Sequence, residues 1–161
     1  MIKHLRIDNR LIHGQVAVVW MGYIGAPCII VSNDKVAADP IQKMALPLAA
    51  RGKKVLVFSN AETIQYTKDH PDEPLFVIAK NPADALEILE SGVEVEEVNV
   101  GNAAPVQGTK YTMVTKAIAV TADDAVLYRK IAEMRGGKLK CWMIPTDQAI
   151  DFIDVLKNKG F

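Results

Sequence analysis

Arg10 and His13 stand three residues apart in "RIDNRLIHGQVAVVW" (6–20), where an apparent strand gives way to an apparent helix. The pairing suits an anion. A guanidinium presents a planar fork that meets phosphate oxygens two at a time. The unpaired N–H groups at a helix start attract negative charge as well. Gly14 lets the backbone come close to a ligand. An imidazole in such a place can take a phosphoryl group on a ring nitrogen. Asp8 can orient Arg10 or the imidazole N–H. A plainer reading also fits, in which His13 caps the helix or packs as a ring, and spacing alone leaves both open.

The elements around these residues follow from hydrophobic patterning. Seven short apolar runs read as strands: "HLRI" (4–7), "PCIIVSN" (27–33), "KKVLVFS" (53–59), "PLFVIAK" (74–80), "VEEVNVG" (95–101), "KAIAVT" (116–121) and "KCWMIP" (140–145). Helical patterns lie between them. Gln15 to Tyr23 is apolar nearly all round and should be buried. Asp39-Pro40 opens a helix that Gly52 stops, and Asn60, Asn81-Pro82, Thr121 and Thr146 head four more. The alternation predicts an α/β fold: an open, mostly parallel sheet with helices on both faces. The stretch 102–115 has no convincing helix, so one strand in the C-terminal half is expected to run antiparallel. The first run alternates Leu5 and Ile7 with His4, Arg6 and Asp8. It therefore either lies less deep than a central strand or carries Arg6 and Asp8 near an exposed end.

Ligands of open α/β sheets bind at the carboxyl ends of the strands. Lys80 follows the fourth run, and Asn99 and Gly101 close the fifth. This edge has donors and cations with few carboxylates, as an anion site requires. The chain of 161 residues has 19 basic and 19 acidic side chains, which argues against a broad nucleic-acid footprint. Cys28 and Cys141 sit in apolar runs and read as buried thiols, without a disulfide. There is no signal-peptide pattern and no apolar run of about 18 residues, so one cytoplasmic domain spanning residues 1–161 is expected. No phosphate-binding glycine loop, nucleophile elbow or metal-ligand cluster is present in the sequence.

"RIDNRLIHGQV" resembles the active-site signature of IIB components of the mannose/fructose/sorbose class of the bacterial sugar phosphotransferase system. Arg6, Asp8, Arg10, Leu11, Ile12, His13, Gly14, Gln15 and Val16 fit it. "VSNDKVAADPIQK" (31–43) and "NVGN" (99–102) resemble further blocks of the family, the latter most like its N-acetylgalactosamine members. The resemblance spans nearly the whole chain. It implies an open seven-strand sheet and a phosphoryl carrier. The phosphoryl group would pass from a IIA histidine to Nδ1 of His13, then to a sugar translocated by the IIC and IID membrane components. Arg10 matches the arginine that helps hold the phosphate, and Asp8 matches the acidic residue before it. The family sheet brings Lys80 and "NVGN" towards His13, so Gly14, Gln15, Lys80, Asn99 and Gly101 are expected at the phosphate.

No metal or organic cofactor is expected. The expected partners are a separate phosphorylated IIA protein or domain, the IIC and IID components at the membrane periphery, and the sugar. A homodimer is left open. Docking requires an apolar patch near His13, for which Val36, Met44 and Ile12 are candidates. Two other readings remain: a phosphatase or mutase working through a phosphohistidine, which would want a second acid or base, and a phosphorylation-dependent regulatory module.

Overall fold

Five of the apolar runs become neighbouring parallel strands: β1 (Ile2–Asp8), β2 (Cys28–Ser32), β3 (Lys54–Phe58), β4 (Leu75–Ala79) and β5 (Val95–Asn102). The structure is a computed structural model that describes every residue of 1–161 except Gln15 and the side chain of Ala17. A small hairpin follows, β6 (Thr112–Met113) antiparallel to β7 (Ala119–Val120). Then β8 (Lys140–Cys141) joins β5 in parallel and β9 (Ile150–Asp151) pairs with β8 antiparallel. The main sheet has seven strands in the order β3-β2-β4-β1-β5-β8-β9.

The expected α/β sheet is therefore present, with two changes of membership. The run 116–121 leaves the main sheet for the hairpin with β6. Its place is taken by Ile150–Asp151, which sequence patterning had put inside a helix headed by Thr146. The last helix, α7 (Phe152–Asn158), starts later because the Asp151 side chain accepts from Ile153 N–H and the Phe152 N–H is held by Leu139 O. A similar shift occurs at α4 (Asn60–Asp69). Ser59, not Asn60, caps it through a reciprocal pair with Glu62, freeing the Asn60 side chain for other contacts.

Each sheet face has its own apolar layer. Leu5 and Ile7 pack with α5 (Pro82–Glu90), α6 (Ala122–Met134) and α7. On the other face Ile29, Val31, Phe76 and Ile78 pack beneath a π-helical turn (Val16–Trp20) that runs into α1 (Met21–Ile24), with Val36 of α2 (Asp34–Ala38). Only part of that first helical segment is covered. Val16, Trp20 and Met21 are buried, whereas Val18, Val19 and Tyr23 face solvent, so its expected all-round burial does not hold. The next helix, α3 (Pro40–Ala49), presents Ile41, Met44 and Leu48 to solvent at helical spacing.

β1 is the central strand at the switch between chain directions, flanked by β4 and β5. Neither expectation for its charged residues holds: Arg6 and Asp8 are only 1% and 0% exposed. They are tolerated there because they pair with each other. Cys28 and Cys141 are free and buried, and burial pushes both thiols up to about 11.

Candidate functional site

The site begins where β1 ends. Leu11 lies in the left-handed region (φ 60°), rare for a branched side chain, and its N–H bonds to Asp8 O at 3.1 Å. Its side chain is buried, which holds the turn in place. The chain thus folds back, and His13 returns onto the carboxylate five residues earlier. Asp8 Oδ2 accepts from Arg6 Nε at 3.2 Å and meets His13 Nε2 at 3.3 Å. Asp8 Oδ1 accepts the Arg10 backbone N–H at 3.0 Å and lies 3.7 Å from Arg10 Nε.

Arg6 anchors this group from below. Its Nη1 donates to Trp142 O at 2.9 Å, and its guanidinium carbon stands 5.1 Å from the Trp20 ring centroid. Burial disfavours its charged form, and the charge and hydrogen bond of Asp8 oppose that effect. Gly101 lies against the same guanidinium, where a Cβ would overlap it. Asn99 is fully buried and donates to the same Trp142 carbonyl at 3.0 Å. Asn99 and Gly101, expected at the phosphate, are both buried and shape the seat of Arg6. Asn102, with its amide turned to satisfy both ends, accepts from Arg10 Nε at 3.0 Å and donates to Ala117 O at 3.1 Å.

The chemistry follows from the donors. A carboxylate only accepts, so the Nε2 nitrogen of His13 carries its proton towards Asp8. In the neutral ring, Nδ1 then bears the lone pair. The His13 side chain is 30% exposed and that of Arg10 44%, so both reach solvent while Asp8 does not. Gly14 is exposed next to His13, and Gln15 lies outside the described residues. Lys80 lies at the end of β4 on a cavity of about 940 Å³ lined also by Asn9, Lys110 and Tyr111. His13 is not part of that lining.

Other polar residues at this sheet edge are used internally. Asp84 accepts from Asn33 Nδ2 at 2.8 Å and Asn60 Nδ2 at 2.9 Å, and Ser32 Oγ donates to Asn60 Oδ1 at 2.8 Å. Burial raises the Asp84 pKa, and these hydrogen bonds oppose the rise. The cluster ties β2 to α4 and α5. Asp34 Oδ1 accepts the Asn60 N–H at 2.9 Å. No group of residues able to hold a metal ion occurs among the described residues. Of the docking candidates, Val36 and Ile12 are buried in the apolar layer and Met44 is 73% exposed.

Sequence reasoning placed Arg6 in the signature and Asn102 in "NVGN" without giving either a role, and it missed the Trp142 carbonyl. The alternating charges of β1 were a signal for Arg6. A backbone carbonyl 136 residues away gives none.

The sequence profile of the family described as PTS system sorbose subfamily IIB component matches residues 2–161. The chain belongs to that family. Among its relatives is the N-acetylgalactosamine-specific phosphotransferase enzyme IIB component 2 of Escherichia coli (strain K12), 33% identical over 155 residues, which are 94% of this chain and 96% of the relative. The crystal structure of the IIBSor domain of the sorbose permease from Klebsiella pneumoniae superposes with a TM-score of 0.90 at 32% identity, covering 100% of this chain and 99% of that one. The mannose-specific EIIAB component of E. coli (strain K12) is 34% identical over 156 residues, 95% of this chain but 47% of that longer protein. This IIB component is thus a phosphotransferase, a phosphoryl carrier in sugar uptake, built on the family's α/β fold.

Proposed function

We propose that His13 carries the phosphoryl group on Nδ1, taking it from a histidine of a IIA protein and giving it to a sugar that IIC and IID components translocate. The observation that carries this reading is the contact between His13 Nε2 and the buried Asp8 carboxylate, which leaves Nδ1 as the nucleophile. In the first transfer the Nδ1 lone pair attacks phosphorus in line. The phosphorus–nitrogen bond to the donor imidazole breaks, and its electron pair returns to that ring. Negative charge spreads over the equatorial oxygens, where Arg10 and backbone N–H groups after His13 meet it. Asp8 meanwhile faces the ring that gains positive charge. One carboxylate between Arg6 and Arg10 leaves a surplus positive charge on the phosphoryl side. In this reading Gly14 gives the phosphoryl oxygens access to the backbone, and Lys80 acts from the neighbouring cavity on the incoming partner.

The IIA protein must cover His13 to reach it. Ile41, Met44 and Leu48 make an apolar stripe on α3, and Arg51 just beyond that helix approaches Gly14, so stripe and site are continuous. We take this stripe as the IIA docking surface. A relative named EIIAB, with 47% of its length matched here, supports a IIA unit as the donor. We place one IIB unit spanning 1–161 peripherally at the cytoplasmic face of the permease, a reading that rests on the family match over residues 2–161; no helix of the described residues is long and apolar enough to cross a membrane.

Incubation with phosphorylated IIA tests the reading. An acid-labile, base-stable label on His13 that moves to sugar only when membrane components are added is expected. His13→Ala should take up no label. Labelling that survives this change, or steady release of inorganic phosphate, would overturn the assignment.

A further inference from the structure

We infer that Arg51 is a second arginine for the transferred phosphoryl group, reaching it past Gly14. The inference rests on His13 being the carrier. Three observations lead to it. The first is position. With Nε2 turned to Asp8, the nitrogen left for the phosphoryl group is Nδ1, the ring nitrogen nearer the main chain of His13 and its neighbour Gly14. Arg51 Nη2 lies 3.6 Å from where a Cβ of Gly14 would stand, and its Cζ lies 4.0 Å away. The guanidinium therefore borders the residue next to the phosphoryl position, and the absent side chain of Gly14 keeps the approach open.

The second is backbone conformation. Arg51 has φ 51°, in the left-handed region, directly before Gly52 at φ 82°. A glycine would adopt that conformation without the roughly 1 kcal/mol that a side chain adds. The chain carries a long cation there all the same. The third is charge. Arg51 is exposed and, among the described residues, no carboxylate pairs with it. Arg10, in contrast, is already committed to Asp8 and Asn102. A phosphoryl group adds roughly two negative charges at neutral pH. Arg10 and Arg51 together match that charge and reach different oxygens.

Phosphoramidate tests this without a partner protein. His13 Nδ1 attacks phosphorus, the P–N bond breaks, and the leaving nitrogen departs with a proton as ammonia. The labelling rate is followed by intact mass for the wild-type chain, Arg51→Ala and Arg51→Lys, with thermal unfolding as the fold control. Arg51→Ala is expected to label about tenfold more slowly, the loss of one charged contact. Arg51→Lys is expected to regain part of the rate, since it keeps the charge and loses the fork. All three should melt alike, because the side chain is exposed. Wild-type labelling with Arg51→Ala at the same rate overturns the role of Arg51 and leaves His13 as carrier. A wild-type chain that takes no label, at a donor concentration that labels free imidazole, overturns the carrier reading and this inference with it.

Discussion

Gly101 and the Arg6 guanidinium meet with no space between them for a methyl group. Arg6 cannot retreat, because it is held by Asp8 on one side and Trp142 O on the other. Gly101→Ala is therefore expected to lower stability by about 3 kcal/mol through overpacking and a disturbed buried ion pair. Urea unfolding measures it. A change under about 0.5 kcal/mol would mean that Arg6 has another resting place.

Asp8→Asn keeps the shape of the side chain and removes its charge. Arg6 then lies buried without a counter-charge, and His13 loses the acceptor that sets its tautomer. Stability should fall by about 3 kcal/mol, and phosphoryl transfer should slow by about 100-fold as the ring loses its orientation. Chemical unfolding and single-turnover labelling report the two effects separately. Unimpaired transfer would remove Asp8 from the mechanism.

Leu48→Asp places a charge on the exposed stripe of α3. Transfer from phosphorylated IIA should slow by about tenfold, as for a moderate interface contact. Labelling by phosphoramidate should be unchanged, because the small donor needs no docking surface. Equal slowing with both donors would locate the damage in the site, not in docking.

His4 supplies a pH dependence of stability. It is buried among Trp20, Phe76 and Trp142, and its Nε2 has no partner among the described residues. Burial, with the charges of Arg6 and Lys140, pushes its pKa down to about 3 from 6.5. Between these values the unfolded chain binds a proton that the folded chain does not. Stability is thus fully present above pH 6.5 and falls as pH drops towards 3, by about 2 to 3 kcal/mol at about pH 4.5. His4→Gln should flatten this component when urea midpoints at about pH 7 and about pH 4.5 are compared. An unchanged acid slope would assign the effect to other groups.

The layered α/β architecture was legible because continuous apolar runs such as "CIIVS" and "LFVIA" stay in register with helices of opposite patterning. The clustering of His13, Arg10 and Asp8 was legible because they are neighbours in sequence. What patterning could not give were contacts that depend on the sheet being closed. Asn99 and Gly101 come against the buried Arg6 seat only through the pairing of β5 with β1, which sequence patterning does not carry. Ile150–Asp151 is only two residues long, too short to show the period of a strand. The exposed side of the first helical segment carries valines and a tyrosine, so composition could not separate its buried face from its open one.

The bond from Arg6 to Trp142 O spans 136 positions of the chain. His13, the proposed carrier, and the Trp142 carbonyl that props its site are thus far apart in the sequence. No segment that stops short of Trp142 contains the whole site, however well its first strands fold. A chain interrupted during synthesis would display His13 without the framework that aims it. In the proposed reading, readiness to accept a phosphoryl group reports that β1 and the segment around Trp142 have come together.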